Sequence, residues 1–273
     1  MNIFTTLITQ PLANGLILFY NLLGHNLGLA ILGFSISLIF VMRPLTKPYM
    51  NSMKKVKDVQ PFVNKLKKKY DKDKLGFSKA QAELYKQKGI NPAAGCLPYI
   101  LQIVILISLF NVFTTVLSAD TSAIDKINKL MYAPLKFSDT VQLNTKFLYF
   151  DLTKPDTIKV PGLPFALPGL ILILATLAQF VSVKITSPYI TAEEKVAQKT
   201  KGSADDMQVA MQSSMTYMLP LMTLIFGMTF PSGLALYWFV FSLVNAWQQG
   251  RASGWGTLTP FAKRLGLQAS SER

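Results

Sequence analysis

Residues 27–70 read LGLAILGFSISLIFVMRPLTKPYMNSMKKVKDVQPFVNKLKKKY, an uncharged apolar run that meets its first charge at Arg43 and then turns lysine-rich. No Asp, Glu, Lys or Arg precedes Arg43, and roughly thirteen lysines then fall between Lys47 and Lys88 against about four acidic residues. Basic residues beside a hydrophobic span are retained in the cytoplasm. The stretch therefore orients the chain, with the apolar start outside and the lysines inside.

Working outward, the whole chain has 273 residues, 50% hydrophobic and 15% charged, with a mean hydropathy of +0.32. That is too little charge for a soluble domain of this size. The expected fold class is all-α, a polytopic membrane protein. Residues 27–45, 96–118, 165–186, 213–230 and 232–248 read as five transmembrane helices, the last two joined by the tight turn Phe230-Pro231-Ser232-Gly233. Together they form a core over 27–250. Residues 1–26 read as an outer interfacial amphipathic helix, because the apolar run 3–24 is interrupted by Gln10, Pro11, Asn14, Gly15 and Asn21; a sixth span is the alternative. Residues 2–15 lack the basic start of a secretory signal, so the N-terminus is expected to be retained.

Segment 46–94 reads as a cytoplasmic helical hairpin. Met50, Met53, Val56, Val59, Val63, Leu66 and Tyr70 recur every three or four residues. Pro61 is expected to restart or kink the first arm, residues 71–76 to turn, and Ser78 to cap the second arm. Its basic surface includes Lys54, Lys55, Lys57, Lys67, Lys68 and Lys69. Loop 119–164 is nearly charge-balanced, which suits the outside, and the tail 251–273 is expected in the cytoplasm. The localisation is then the inner (plasma) membrane, multi-pass, with the N-terminus outside and the C-terminus inside.

Composition also excludes several classes. Cys96 is the only cysteine and His25 the only histidine, so neither an intramolecular disulfide nor a cysteine-rich metal site can be built. No GxSxG, Walker loop or glycine-rich nucleotide fingerprint occurs, which leaves no enzyme and no cofactor to expect. The net charge of +14 sits mainly beside the spans, where anionic lipids account for it without a specific nucleic-acid partner.

Polar residues inside apolar spans are the candidate site. Arg43, Ser35, Gln102, Thr176, Gln179, Ser182, Ser242 and Asn245 fall mostly in the cytoplasmic half of the deduced bilayer, whereas Asn111, Thr114 and Thr115 do not. Each alone suits interhelical hydrogen bonding, and Arg43 suits simple anchoring by a long side chain at the interface. Shared depth with a positive charge favours a water-filled groove. Met211, Met215, Met218 and Met222 share one helix face, either as packing filler or as an adaptable surface for apolar clients.

The order and identity of several motifs resemble the YidC family of membrane protein insertases. They are Gln10-Pro11-Leu12, Pro44-Leu45-Thr46-Lys47, Gln60-Pro61, Glu83-Leu84-Tyr85-Lys86, Ile90-Asn91-Pro92, Gly95-Cys96-Leu97-Pro98 with Gln102, and Phe230-Pro231-Ser232-Gly233-Leu234 with Tyr237. The resemblance runs over about residues 8–250. It implies a five-helix insertase core with a hydrophilic groove open to cytoplasm and lipid. It also implies nascent membrane proteins as clients, the ribosome and the Sec translocon as partners, and an apolar client-guiding surface around Phe180, Met215, Met218, Met222 and Trp238. In that family the groove arginine lies five residues before the PLT proline, a position held here by Ile39. Arg43 lies on nearly the same face about 6 Å nearer the cytoplasm, and either reaches back along the groove or serves only as an anchor. The rival reading is a small channel or transporter, although no broken helices or inverted repeats accompany the polar positions.

Overall fold

A proline inside a helix removes one backbone donor and crowds the preceding turn, yet the 43-residue helix α2, Leu27–Lys69, runs unbroken through Pro44, Pro48 and Pro61. The computed structural model describes residues 3–70, 73–90, 97–117, 123–137, 143–186 and 205–266. A π-helical turn, Thr5–Thr9, leads into α1, Gln10–Leu22. After α2 come α3, Lys74–Gln87, α4, Leu97–Leu117, and the short α5, Ala123–Asn128. A 3-10 turn, Ala133–Leu135, precedes two small antiparallel hairpins: β1, Lys146–Phe147, with β2, Phe150–Asp151, and β3, Thr157–Ile158, with β4, Leu167–Pro168. Then follow α6, Leu170–Thr186, α7, Asp205–Gly227, α8, Ser232–Ser253, a 3-10 turn at Gly256–Leu258 and α9, Thr259–Arg264.

The chain is mostly helical, as its hydropathy pattern implies, but several boundaries differ. Pro61 does not restart the hairpin's first arm, because that arm is the continuation of the first apolar helix. The second arm is capped by Asp73, whose carboxylate accepts the Gly76 N–H at 2.9 Å, and not by Ser78. The apolar run expected from residue 165 begins its helix only at Leu170, since residues 167–168 are spent on β4. By length and composition, one helix among the described residues, Leu27–Pro48, is long and apolar enough to cross a membrane; Ile100–Thr115, Leu170–Thr186 and Thr216–Gly227 are shorter apolar helices. The run 232–248 is not among them, its α8 carrying Asn245, Gln248 and Gln249. Cys96 and its neighbours from residue 91, the segment 187–204 and the last seven residues lie outside the described residues.

Two compact units emerge. The first comprises Met1–Met42, Tyr99–Gln179 and Leu221–Ser242. Its core gathers Leu12, Leu16, Ile17 and Tyr20 of α1 with Leu27, Ile31, Leu109, Phe113, Leu152, Leu172, Leu234 and Tyr237. Asn14, one of the polar interruptions of the N-terminal run, faces this protein interior. Its amide donates to the Leu130 carbonyl at 2.8 Å and accepts the Tyr132 N–H at 2.7 Å. The residues α1 exposes are Pro11, Leu18, Asn21 and Leu22, and the turn before it exposes Leu7. Gly15 leaves the space that the Phe34 ring occupies.

The second unit comprises Arg43–Pro98, Phe180–Pro220 and Leu243–Arg273. Within it α2 and α3 pack as a helical hairpin around Val59, Val63, Phe77 and Ile90, with Val56, Leu66, Tyr70, Leu84 and Tyr85 against them. Val56, Val59, Val63, Leu66 and Tyr70 among them are the periodic apolar positions of the sequence. Lys55, Lys65, Lys68 and Lys69 are exposed; Lys69 lies 5.5 Å from the Tyr70 ring and Lys55 donates to the Gly89 carbonyl at 3.4 Å.

Candidate functional site

The polar side chains singled out in the sequence are divided between the two units. In the first unit Ser35 is fully buried and its hydroxyl donates to the Ile31 carbonyl of its own helix at 2.5 Å. Thr176 likewise donates to Leu172 at 2.8 Å. Such back-bonding satisfies a hydroxyl in an apolar environment without recruiting a neighbour. Gln102 of α4 accepts a hydrogen bond from the Tyr237 hydroxyl of α8 at 3.4 Å, which joins two motifs that lie 135 residues apart. Its Nε2 is buried and has no partner among the described residues, and the same holds for Oε1 of Gln179. Ser242 is buried and Trp238 half-buried.

In the second unit Asn245 of α8 donates to the Ser182 hydroxyl of α6 at 3.2 Å. Arg43 is exposed, and its carbonyl receives the Thr46 hydroxyl at 3.2 Å. Phe180 packs against Tyr217 with ring centroids 5.9 Å apart, and Lys184 reaches over both rings at 5.2 and 5.4 Å. Pairing an ammonium with aromatic faces lowers the cost of holding charge beside apolar surface. The sequence reading passed over Lys184, although its position at i+4 from Phe180 on α6 signals the contact. Met218 belongs to this unit and Met222 to the first, and both are about half exposed. The side chains of Met215, Lys57 and Lys67 lie outside the description.

The first unit also holds a polar constellation that the sequence reading missed. Helix N-termini present backbone N–H groups without intrahelical partners, and segment 143–169 supplies partners to three of them. At α2, the Leu27 N–H donates to the Asn144 carbonyl at 3.1 Å. At α8, Ser232 and Gly233 donate to the carbonyls of Lys154 and Leu152 at 2.8 and 3.1 Å, and the Ser232 hydroxyl to Asp151 at 2.8 Å. A Cβ at Gly233 would stand 3.0 Å from Phe113, so the glycine permits this approach.

At α6, the buried Asp156 carboxylate accepts the Leu172 N–H at 3.1 Å, and its carbonyl accepts the Gly169 N–H at 2.7 Å. The Tyr149 hydroxyl donates to the same carboxylate at 3.1 Å and accepts the Ile171 N–H at 2.8 Å. A negative charge here also complements the helix dipole. Desolvation and then the neighbouring Asp156 charge raise the Tyr149 hydroxyl above its ordinary pKa, against the opposing bond from Ile171. Partial burial would raise Asp151, but bonds from Thr153 and Thr145, with Lys154 nearby, bring it below its ordinary value. No local motif announces the Asp156 cap, which comes from 16 residues before Leu172.

Because the same segment caps α2, α6 and α8, these helices start at one end of the first unit. This is the arrangement expected if each begins on one side of a membrane, with α4 and α7 returning. Among the described residues no group of three His, Cys, Asp or Glu side chains could hold a metal ion.

The chain matches the 60Kd inner membrane protein family over residues 18–253. It is 31% identical over 246 residues to the membrane protein insertase YidC of Pelobacter propionicus, which covers 89% of this chain and 38% of that protein. Against the insertase YidC of Chlorobium luteolum it is 31% identical over 252 residues, covering 89% of this chain and 36% of the relative. The chain thus spans little more than a third of the length of these two. With the insertase YidC of Fusobacterium nucleatum the identity is 30% over 225 residues, 82% of this chain and 84% of the relative. These relatives are named as insertases, and the family is not one of enzymes. The motif resemblance seen in the sequence is thereby borne out, and the chain belongs to the 60Kd inner membrane protein family.

Proposed function

We propose that this chain is a membrane protein insertase whose five spans place the N-terminus outside and the C-terminus inside. It moves short hydrophilic tails of nascent clients across the inner membrane and releases their hydrophobic helices into lipid. The observation that carries this reading is the pair of glutamines, Gln102 and Gln179, each with a buried amide atom that no described residue satisfies. A buried polar atom left unpaired costs about 1–3 kcal/mol. That cost is relieved if the glutamines border a wet groove, where water or a client's polar tail completes their bonds. A wet recess shortens the hydrocarbon path that the tail must cross.

In this reading Thr176 and Asn245 contribute further polar surface to the groove, and the buried Ser35, Ser182 and Ser242 lie behind it. Arg43 supplies positive charge near its inner mouth. Phe180, Met215, Met218, Met222 and Trp238 guide the emerging client helix. The hairpin lysines receive clients and meet the ribosome, the Sec translocon or anionic lipid. No covalent step is required.

Insertion of a tail-labelled client into vesicles tests the proposal. The double variant Gln102→Leu, Gln179→Leu removes two unpaired atoms but also the acceptor of the buried Tyr237 hydroxyl, so it should lose no more than about 1–3 kcal/mol of stability, and should insert polar-tailed clients about ten-fold more slowly, a barrier increase of about 1.4 kcal/mol. Arg43→Ala should slow acidic-tailed clients most, and Ile39→Arg in that background should restore them. Unchanged insertion by the double-glutamine variant would remove the wet groove from the mechanism.

A further inference from the structure

The connection from β3 to β4 carries an apolar tip that the insertase reading does not use. Val160, Leu163 and Phe165 are 39%, 43% and 61% exposed. Pro161 and Gly162 form the turn beneath them, with Gly162 at φ +91 and the Leu163 N–H donating to the Val160 carbonyl at 3.2 Å. A Pro-Gly turn with positive φ at the glycine is rigid. It holds these side chains away from any core of their own.

The hairpin runs into α6 through a single residue, Gly169, and is fixed there by the Asp156 bonds to Gly169 and Leu172. A Cβ at Gly169 would collide with the Asp156 carboxylate, so the junction is closely fitted. The exposed apolar side chains continue along α6 as Leu170, Ile173, Leu174 and Leu177.

Lys159 and Lys184 bracket this uncharged stretch. Its helical part, residues 170–183, rises only about 21 Å at about 1.5 Å per residue. The hydrocarbon core is about 30 Å thick. A span that falls short must thin the bilayer, draw in its flanking residues or gain apolar surface beyond its end.

We propose that the β3–β4 hairpin is a lipid-seated extension of α6, its Val160, Leu163 and Phe165 tip immersed in the outer leaflet and lengthening the apolar belt of a short span. The occupant of this surface is lipid acyl chain: the patch continues the apolar face of a membrane helix, and Lys159 stands beside it to meet headgroup phosphate. The inference rests on the reading of α6 as a membrane span.

The test uses the purified full chain with Cys96→Ser, carrying one of Phe165→Cys, Leu174→Cys or Lys146→Cys, labelled with an environment-sensitive fluorophore. The protein is reconstituted into phosphatidylcholine–phosphatidylglycerol vesicles with bromines at defined acyl positions. The label at 165 should lose most of its emission to shallow bromines and little to aqueous iodide, the label at 174 should respond to deeper bromines, and the label at 146 mainly to iodide. A label at 165 as open to iodide as that at 146, with 174 quenched by lipid, overturns the hairpin proposal alone. Shielding of 165 from both quenchers, marking a protein contact between copies, also overturns it. Absence of lipid quenching at 174 removes the α6 span and the hairpin proposal with it.

Discussion

In segment 143–169 main-chain and side-chain polar groups meet the starts of three helices, whereas between α2 and α3 a cluster of four buried apolar residues holds two arms together. Hydrogen bonds to helix N-termini are directional and fix where each helix begins. Apolar contacts in a small cluster fix that the arms touch, yet tolerate sliding and local opening. The difference suits the proposed roles, with a stiff assembly at the proposed outer end and an adaptable basic arm to receive varied clients.

The comparison breaks if the arm turns out to hold the fold. Replacing residues 52–88 by a flexible linker should reduce client insertion more than ten-fold while leaving amide exchange of Ile171, Leu172, Ser232 and Gly233 unchanged. Faster exchange at those amides would show that the hairpin stabilises the capped end.

Asp156→Ala tests the other region. Removing a buried carboxylate that accepts from Tyr149 and Leu172 should cost about 3 kcal/mol of stability, measured by thermal unfolding in detergent with exchange accelerating first at Leu172. A loss within error would mean that the carboxylate is replaceable.

For the hairpin, Phe77→Ala should cost about 3 kcal/mol, the low end for a buried phenylalanine. The loss should appear as faster exchange confined to the arms, with the unfolding midpoint of the whole chain unmoved. A lowered midpoint would merge the two regions into one cooperative unit.

The smallest effect expected is Tyr149→Phe, at about 1 kcal/mol. Its sign with pH sharpens the contrast: folding raises the Tyr149 pKa from 10.0, so this contribution is whole below pH 10 and declines as the pH climbs toward the folded value. The parent should therefore weaken in alkali more steeply than the variant. Equal slopes would detach the tyrosine from the Asp156 network.

The apolar runs and the lysine-rich arm were legible in the sequence because each depends on local periodicity, and Val59, Val63 and Leu66 pack where their spacing puts them. Continuity through Pro61 was not legible. A proline's local cost is outweighed when neighbouring turns gain tertiary packing, and no window of residues contains that gain. The partners of Asn14 were hidden for a similar reason: an amide that interrupts an apolar run is satisfied by Leu130 and Tyr132, more than a hundred residues away. Within the candidate site, Gln102 and Tyr237 were visible as motif members, but their pairing was not. Asp156 carried no local mark, since its partners on α6 appear only once the intervening hairpin has folded.

The three-way cap also imposes an order on biogenesis. As the chain is made, α2 is finished long before Asn144 exists to receive Leu27, while α6 meets Asp156 within 16 residues of synthesis. The bond from Ser232 to Asp151 closes only after 81 further residues. Until α8 arrives, the carbonyls of Leu152 and Lys154 are turned toward a helix not yet translated. Helix α8 is thus the keystone, and a ribosome stalled before residue 232 would leave an arch without it.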